Sequence, residues 1–159
     1  DIGPLASAVQ RDRVAEYIRI GIAEGATLLT GGAEPPGGVE SGYYVQPTVF
    51  SDVTPSMRIA REEIFGPVLS ILRWSSVDDV VKMANAVEYG LTAAVWTRDI
   101  SQAMTTALQL ETGYVWINGV NAHVRAMPYG GYKNSGVGRE RGIEELYSYT
   151  EEKSVHVML

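Results

Sequence analysis

The sequence contains no cysteine among its 159 residues. This absence excludes disulfide bonds, thiolate metal sites and a cysteine nucleophile within the chain, and it fits a reducing compartment. The first five residues lack a basic segment followed by an apolar one, so no signal peptide is predicted. No apolar run approaches the roughly 18 residues that a membrane helix needs. We therefore expect a cytoplasmic protein that does not contact membranes.

Positive charge and histidine are also scarce. Thirteen basic residues face 19 acidic ones, which gives a net charge of −6. Because an acidic surface repels phosphate backbones, we expect no nucleic-acid partner. His123 and His156 have no ligand-type residue three or four positions further on, so the sequence predicts no metal site. The absence of a Gly-x-Ser-x-Gly sequence leaves a serine hydrolase without support.

The composition is that of a globular protein, with 45% hydrophobic and 20% charged residues. The length and the hydrophobic content predict one domain with a sizeable core. Ser7 as N-cap and Gly25 as stop bound a predicted helix over 7–24. The next stretch predicts a short strand at 27–30, a Gly- and Pro-rich loop at 31–42 and a β-rich segment at 43–50. Pro47 in that segment indicates an edge strand.

Strands and helices then alternate with short connections. The pattern predicts strands at 68–74, 91–97 and 114–118 and helices at 76–88 and 100–111. This order is typical of α/β proteins, and we expect one parallel βαβαβ sheet with helices on both faces. A helix is predicted at 139–147, and an apolar strand at 153–159 that needs a partner sheet.

A glycine-rich run covers residues 130–138. A phosphate-binding loop would need Ser or Thr after its lysine, and here Asn134 follows Lys133. A dinucleotide fingerprint beginning at Gly136 would need glycine where Arg141 stands. The run is therefore interpreted as a loop whose glycines supply positive φ angles rather than as a phosphate site.

A carboxylate and an aromatic side chain flank Ile64 just before a buried strand. Ionised Glu63 offers two acceptor oxygens, which suit the paired hydroxyls of a ribose. The ring of Phe65 offers an apolar face to a flat heterocycle, and the Gly-Pro corner after it would stiffen the scaffold. On chemistry alone, a helix-terminal carboxylate and a core phenylalanine remain open as the alternative.

Several ordered segments resemble motifs of the NAD(P)-dependent aldehyde dehydrogenases. Residues 62–67 read Glu-Glu-Ile-Phe-Gly-Pro, which is a signature of that family. The other similar segments are 89–95 with 97–99, 113–118, 128–136 with 138–140, and 149–151 with Lys153. The resemblance covers almost the whole chain but only the C-terminal third or so of such an enzyme. It implies a partial catalytic domain at 1–152 and an oligomerisation strand at 153–159.

The resemblance also implies roles for individual residues. Glu63 would hold the nicotinamide-side ribose of NAD or NADP, and Phe65 would pack beside the nicotinamide. Gln10 and Arg13 fall at further cofactor-binding positions. Tyr129 and His123 would line the mouth of the aldehyde pocket, where the family commonly has aromatic residues. His123 departs from that habit.

The resemblance implies the chemistry of the family, which is aldehyde oxidation on a cysteine. Hydride transfer to NAD(P)+ leaves a thioester on that cysteine, and hydrolysis of the thioester completes the reaction. The nucleophile, the general base and the Rossmann glycines belong to the upstream part. We therefore expect the 159-residue chain to be inactive alone and to form homo-oligomers through its last strand. The alternative from another class is a free-standing, non-catalytic α/β module that binds a partner or a nucleotide.

Overall fold

The computed structural model describes residues 2–39 and 41–159. Asp1 and Glu40, the latter within the predicted loop at 31–42, lie outside the described residues. The chain divides into two compact units, Asp1–Ser76 and Val77–Leu159. Within the described ranges, no helix combines the length and the apolar character needed to cross a bilayer.

The first unit begins with helix α1, Ala8–Ala23, close to the bounds that the sequence predicts. The Ser7 side chain caps it by accepting a hydrogen bond from the Gln10 backbone N–H at 3.1 Å. Gly25 follows the helix with a φ of 96°, a conformation that favours glycine, so the predicted stop is confirmed. Val14 and Ile18 are fully buried on the inner face of α1.

Three short strands form the sheet of this unit. β1, Thr27–Thr30, pairs antiparallel with β2, Thr48–Ser51, and β2 pairs parallel with β3, Val68–Ser70. β2 is the central strand, so the edge position that Pro47 indicates is wrong. Pro47 lies one residue before β2, where its missing N–H interrupts no ladder hydrogen bond.

The core of the first unit lies between α1 and this sheet. Phe50 of β2 is fully buried beside α1, and a second short helix, α2 (Arg58–Arg61), adds Ile59 to the core. Thr48 is buried as well, and its hydroxyl is satisfied by donating to the Gln46 carbonyl at 2.8 Å. The sequence did not predict α2, which is a single turn.

The second unit contains three helices and four strands among its described residues. The elements are α3 (Val77–Asn85), β4 (Tyr89–Gly90), β5 (Thr92–Val95), α4 (Ile100–Gln109), β6 (Tyr114–Ile117), β7 (Tyr132–Lys133) and α5 (Ile143–Ser148). β5 and β6 pair in parallel with α4 as their crossover, and β4 pairs antiparallel with β7. The Asp99 carboxylate caps α4 by accepting from the N–H groups of Ser101 and Gln102.

Strand pairing differs from the sequence prediction. The parallel unit β5–α4–β6 is present, but β3 pairs with β2, so one continuous βαβαβ sheet is not confirmed. A hydrophobic run predicts a strand but not the strand with which it pairs, and here β2 pairs with the edge of β3.

The C-terminal part of the second unit also departs from expectation. The helix predicted from 139 begins at Ile143, because Glu140 exchanges two backbone hydrogen bonds with Tyr129 and Arg141 has a φ of 64°. The residues predicted as a strand at 153–159 are exposed and form no ladder. A strand requires a neighbouring edge, and no described part of this chain supplies one there.

Candidate functional site

Four predicted cofactor residues, from α1 and from the segment before β3, come together in the first unit. The amide nitrogen Nε2 of Gln10 donates to the carbonyl oxygens of Ile64 at 3.0 Å and Phe65 at 2.9 Å. Nη2 of Arg13 donates to the Glu63 carbonyl oxygen at 2.9 Å. Residues 50 to 55 positions apart in sequence are thus joined by hydrogen bonds.

The segment 63–66 alternates between buried anchors and exposed side chains. Ile64 is 8% exposed and belongs to the core, whereas Glu63 is exposed and Phe65 is 72% exposed. The alternative of a core phenylalanine is therefore wrong for Phe65. Gly66 packs so closely on α1 that a Cβ there would lie 2.6 Å from Cγ2 of Val14. The backbone is fixed while the carboxylate and the ring point into solvent.

An open cleft of about 640 Å³ lies beside the ring of Phe65. Its lining is Pro4, Leu5, Ala6, Ser7, Gln10 and Phe65. Most of this wall is apolar, and the side chains of Ser7 and Gln10 are its polar groups. A largely apolar cleft with a few polar groups and an exposed ring suits a planar heterocycle. The nearby Glu63 carboxylate suits the hydroxyls attached to such a ring system.

The neighbouring Glu62 has a different role, which sequence reasoning missed. Its carboxylate accepts from Nε and Nη2 of Arg58, both at 2.8 Å, and from the Tyr17 hydroxyl at 2.7 Å. These hydrogen bonds, that from Arg58 first, lower the pKa of Glu62 from 4.5 to about 2. The i,i+4 spacing of Arg58 and Glu62 is the sequence signal that could have found the pair. Glu62 therefore ties α2 to α1 and leaves Glu63 as the carboxylate available to a ligand.

The two predicted substrate residues belong to an aromatic cluster in the second unit. The ring centroids of His123 and Tyr129 lie 5.4 Å apart at an interplanar angle of 85°. Tyr114 lies 5.8 Å from His123 and 5.6 Å from Tyr129, and Trp116 lies 5.6 Å from His123. Such tilted and edge-on arrangements are favourable for aromatic rings.

Sequence reasoning did not assign Tyr114 and Trp116 to this cluster. They are two residues apart on β6, so strand alternation places them on one face, which is the signal that was available. Tyr114 is buried and supports the others, whereas His123 is exposed. Nε1 of Trp116 donates to the Ala122 carbonyl at 2.6 Å, which holds the loop that carries His123. The cluster therefore exposes the imidazole of His123, which packs against the neighbouring aromatic rings.

In the glycine-rich run, Gly136 and Gly138 have the positive φ angles that the loop interpretation predicts, at 108° and 84°, whereas Gly130 and Gly131 do not. Nζ of Lys133 donates to the carbonyl oxygens of Asn85 at 2.6 Å and Val87 at 3.1 Å and pairs with the Glu111 carboxylate at 2.7 Å. A lysine so occupied does not cradle a phosphate. In residues 2–39 and 41–159, no group of three or more His, Asp or Glu side chains is arranged to hold a metal ion.

Comparison with sequence families identifies what the chain is similar to. The model of the aldehyde dehydrogenase family matches residues 1–155. A curated aldehyde dehydrogenase, tropH of Talaromyces stipitatus, is 48% identical over 99% of this chain. The betaine aldehyde dehydrogenase of Brucella ovis is 50% identical over 98% of it. The chain spans only 32% of the length of either relative.

Solved structures give the same result. An aldehyde dehydrogenase of Mycobacterium tuberculosis, complexed with NAD+, superposes with a TM-score of 0.93 at 46% identity and covers 99% of this chain. An NAD+ complex of a Bacillus cereus aldehyde dehydrogenase has a TM-score of 0.91 at 49% identity over 98% of the chain. The chain corresponds to 32% and 31% of those structures.

Proposed function

The chain belongs to the aldehyde dehydrogenase family, and we propose that it is the C-terminal part of an enzyme that oxidises an aldehyde to a carboxylic acid with NAD+ or NADP+. The observation that carries this proposal is the exposed pair Glu63 and Phe65 on a backbone that α1 fixes. The similarity to two NAD+ complexes supports NAD+ as the cofactor.

We propose separate tasks for the four cofactor-side residues. The Glu63 carboxylate accepts hydrogen bonds from the nicotinamide-side ribose, and the Phe65 ring packs beside the nicotinamide. Gln10 lies in the wall of the same cleft. One guanidinium N–H group of Arg13 donates to the Glu63 carbonyl, and a guanidinium has further N–H groups that can donate to a cofactor. When bound, the cofactor supplies a hydride acceptor.

Tyr129 and His123 are proposed to line the mouth of the aldehyde pocket. Their rings pack against those of Tyr114 and Trp116, so the wall that they form consists of aromatic rings and one imidazole. The nucleophile of the proposed reaction is a cysteine, and the chain has none. Residues of this chain therefore bind and orient, while the bond-forming group comes from another segment of the enzyme.

The cofactor role is tested with phenylalanine labels, since the chain has only two phenylalanines. In the chain labelled with 13C,15N-phenylalanine, we expect nicotinamide mononucleotide to shift the ring signals of exposed Phe65 and to leave those of buried Phe50 in place. AMP should shift neither, because it carries no nicotinamide ring. Glu63→Gln should weaken the response, and Glu16→Gln on exposed α1 surface is the control. A Phe65 signal that nicotinamide mononucleotide leaves unmoved contradicts the proposal.

The 159-residue chain alone is proposed to be inactive. Purified chain supplied with an aldehyde and NAD+ should form no NADH above background, and turnover that survives repurification would contradict this. The gene distinguishes a partial enzyme from the free-standing module. An upstream reading frame with a Gly-x-Cys segment supports the enzyme, whereas a natural start codon near position 1 supports the module.

Three further properties are proposed for the whole enzyme. It forms homo-oligomers through residues 153–159, and its compartment is the cytoplasm. The continuous parallel βαβαβ sheet predicted over 68–118, with helices on both faces, stays a prediction for that larger assembly.

A further inference from the structure

We propose that Gln10 is a positioning residue that fixes the backbone of Phe65 and thereby the direction of its ring. Phe65 has an unusual conformation, because its φ of 56° lies in the left-handed region that residues with a Cβ disfavour. A conformation of this kind persists where the surrounding structure enforces it. The consequence for cofactor binding rests on the proposed function above.

Gln10 contacts both peptide groups on either side of this strained angle. The φ and ψ of Phe65 together set the rotation between the peptide plane that carries the Ile64 carbonyl and the plane that carries the Phe65 carbonyl. One amide nitrogen, Nε2 of Gln10, donates to both oxygens, at 3.0 and 2.9 Å. Because the two hydrogens of one NH2 group leave it in fixed directions, the two carbonyls are held in one relative orientation.

The other contacts of this segment cannot replace that bridge. Arg13 reaches the Glu63 carbonyl, which precedes the rotating bond by two residues. Gly66 packs on Val14 and so sets the distance of the segment from α1, without spanning the bond. Gln10 itself is the third residue of α1 and is half-buried, so its side chain starts from a fixed helix.

The test replaces the amide by an isosteric group that lacks the donors. Gln10→Glu puts carboxylate oxygens against two carbonyls, and Gln10→Met keeps the length without charge. In the full chain labelled with 13C,15N-phenylalanine and without any ligand, we expect both variants to move the Phe65 amide and Cα signals. The three-bond HN–Hα coupling should change from its value for positive φ toward that for extended backbone. Phe50, fully buried in the core, reports that the unit remains folded.

A matched control comes from Gln46, whose Nε2 donates to the Glu34 carbonyl at 2.9 Å in the same unit. Gln46→Glu should leave the Phe65 signals unchanged. Unchanged Phe65 signals in both Gln10 variants, with Phe50 in place, would overturn the positioning role. If Gln10→Glu also displaces the Phe50 signals, the Phe65 signals of the Gln10→Met chain decide whether the positioning role stands.

Nicotinamide mononucleotide separates this inference from the proposed function. In the Gln10 variants we expect the ligand-free shift of the Phe65 signals and an affinity for the nucleotide that is about tenfold lower. A loss of this size is typical when neutral hydrogen bonds that order a binding group are removed. If the ligand-free shift occurs but wild type never responds to the nucleotide, the positioning role stands and the cofactor role fails. If wild type and both variants respond with equal affinity, positioning has no part in binding.

Discussion

Phe65 and Phe50 show how much a single residue reveals at the sequence level. Both follow a β-branched apolar residue, Val49 or Ile64, yet Phe50 is fully buried and Phe65 is 72% exposed. The motif resemblance predicts a ligand-facing role for Phe65, and its ring is exposed on the surface of its unit. The positive φ and the hydrogen bonds from Gln10 depend on a helix some 50 residues earlier, so no local pattern could predict them.

At Gly66, we expect a substitution by alanine to destabilise the first unit. The new Cβ would lie 2.6 Å from Cγ2 of the fully buried and rotamerically stiff Val14, so α1 or the segment must shift. Overpacking of this kind costs about 1–3 kcal/mol. Urea unfolding followed by circular dichroism measures the loss, and Gly37→Ala, whose Cβ would meet nothing within 4 Å, is the control. Equal midpoints for the two variants would show that the close approach is not a constraint.

The carboxylate of Glu62 gives a pH-dependent prediction. Its folded pKa of about 2 lies below the ordinary value of 4.5, so its contribution to stability is complete above about pH 4.5 and is lost as the pH falls toward 2. Tyr17→Phe removes one donor and keeps the ring between two guanidinium groups, so the pKa of Glu62 should rise toward 4.5.

A carboxyl-carbon NMR titration of Glu62 measures this change. Tyr43→Phe, which removes a hydroxyl elsewhere in the same unit, should leave the titration midpoint unchanged. A midpoint for Glu62 that Tyr17→Phe does not raise would show that Arg58 alone holds the carboxylate.

Among the elements, those with caps or apolar periodicity could be predicted from the sequence, but the strands with which they pair could not. The bounds of α1, β1 and α4 agree with the sequence to within two residues, because caps and apolar periodicity are local. The pairing of β3 with β2, and the start of α5 at Ile143, depend on hydrogen bonds to distant backbone. The aromatic cluster was half predicted: His123 and Tyr129 came from resemblance, while Tyr114 was treated as part of a buried strand.

Lys133 connects the C-terminal ends of two helices to the glycine-rich loop. Its ammonium binds two carbonyls at the end of α3 and the Glu111 carboxylate after α4. Lys133→Met should therefore destabilise the second unit by about 1 kcal/mol, since two carbonyls lose their charged donor. Hydrogen exchange of the α3 amides measures the effect, with Lys82→Met on the exposed side of α3 as the control. Unchanged protection in the Lys133 variant would refute the connecting role.

At the scale of the whole molecule, many large apolar side chains of the described residues are exposed. Ile100, Met104 and Leu108 recur every four residues along α4 and are 66%, 50% and 82% exposed. The sheet of β5 and β6 has only two strands, which is marginal for an isolated sheet. Relatives about three times as long contain the additional polypeptide that could cover such faces, and this agrees with a partial enzyme.

The C-terminal tail is the part of the molecule where self-association is expected. Residues 153–159 are exposed and include Val155, Val157 and Met158, and an extended segment with an apolar side forms a β-ladder only by pairing with another strand edge. Deleting residues 154–159 should therefore lower the sedimentation coefficient of the chain to that of a smaller species. Because side chains alternate along a strand, Val155→Asn with Val157→Asn should act like the deletion if that face is buried between subunits, while Ser154→Asn with His156→Asn should not. Identical sedimentation of the deleted and intact chains would show that oligomers, where they form, are held by another surface.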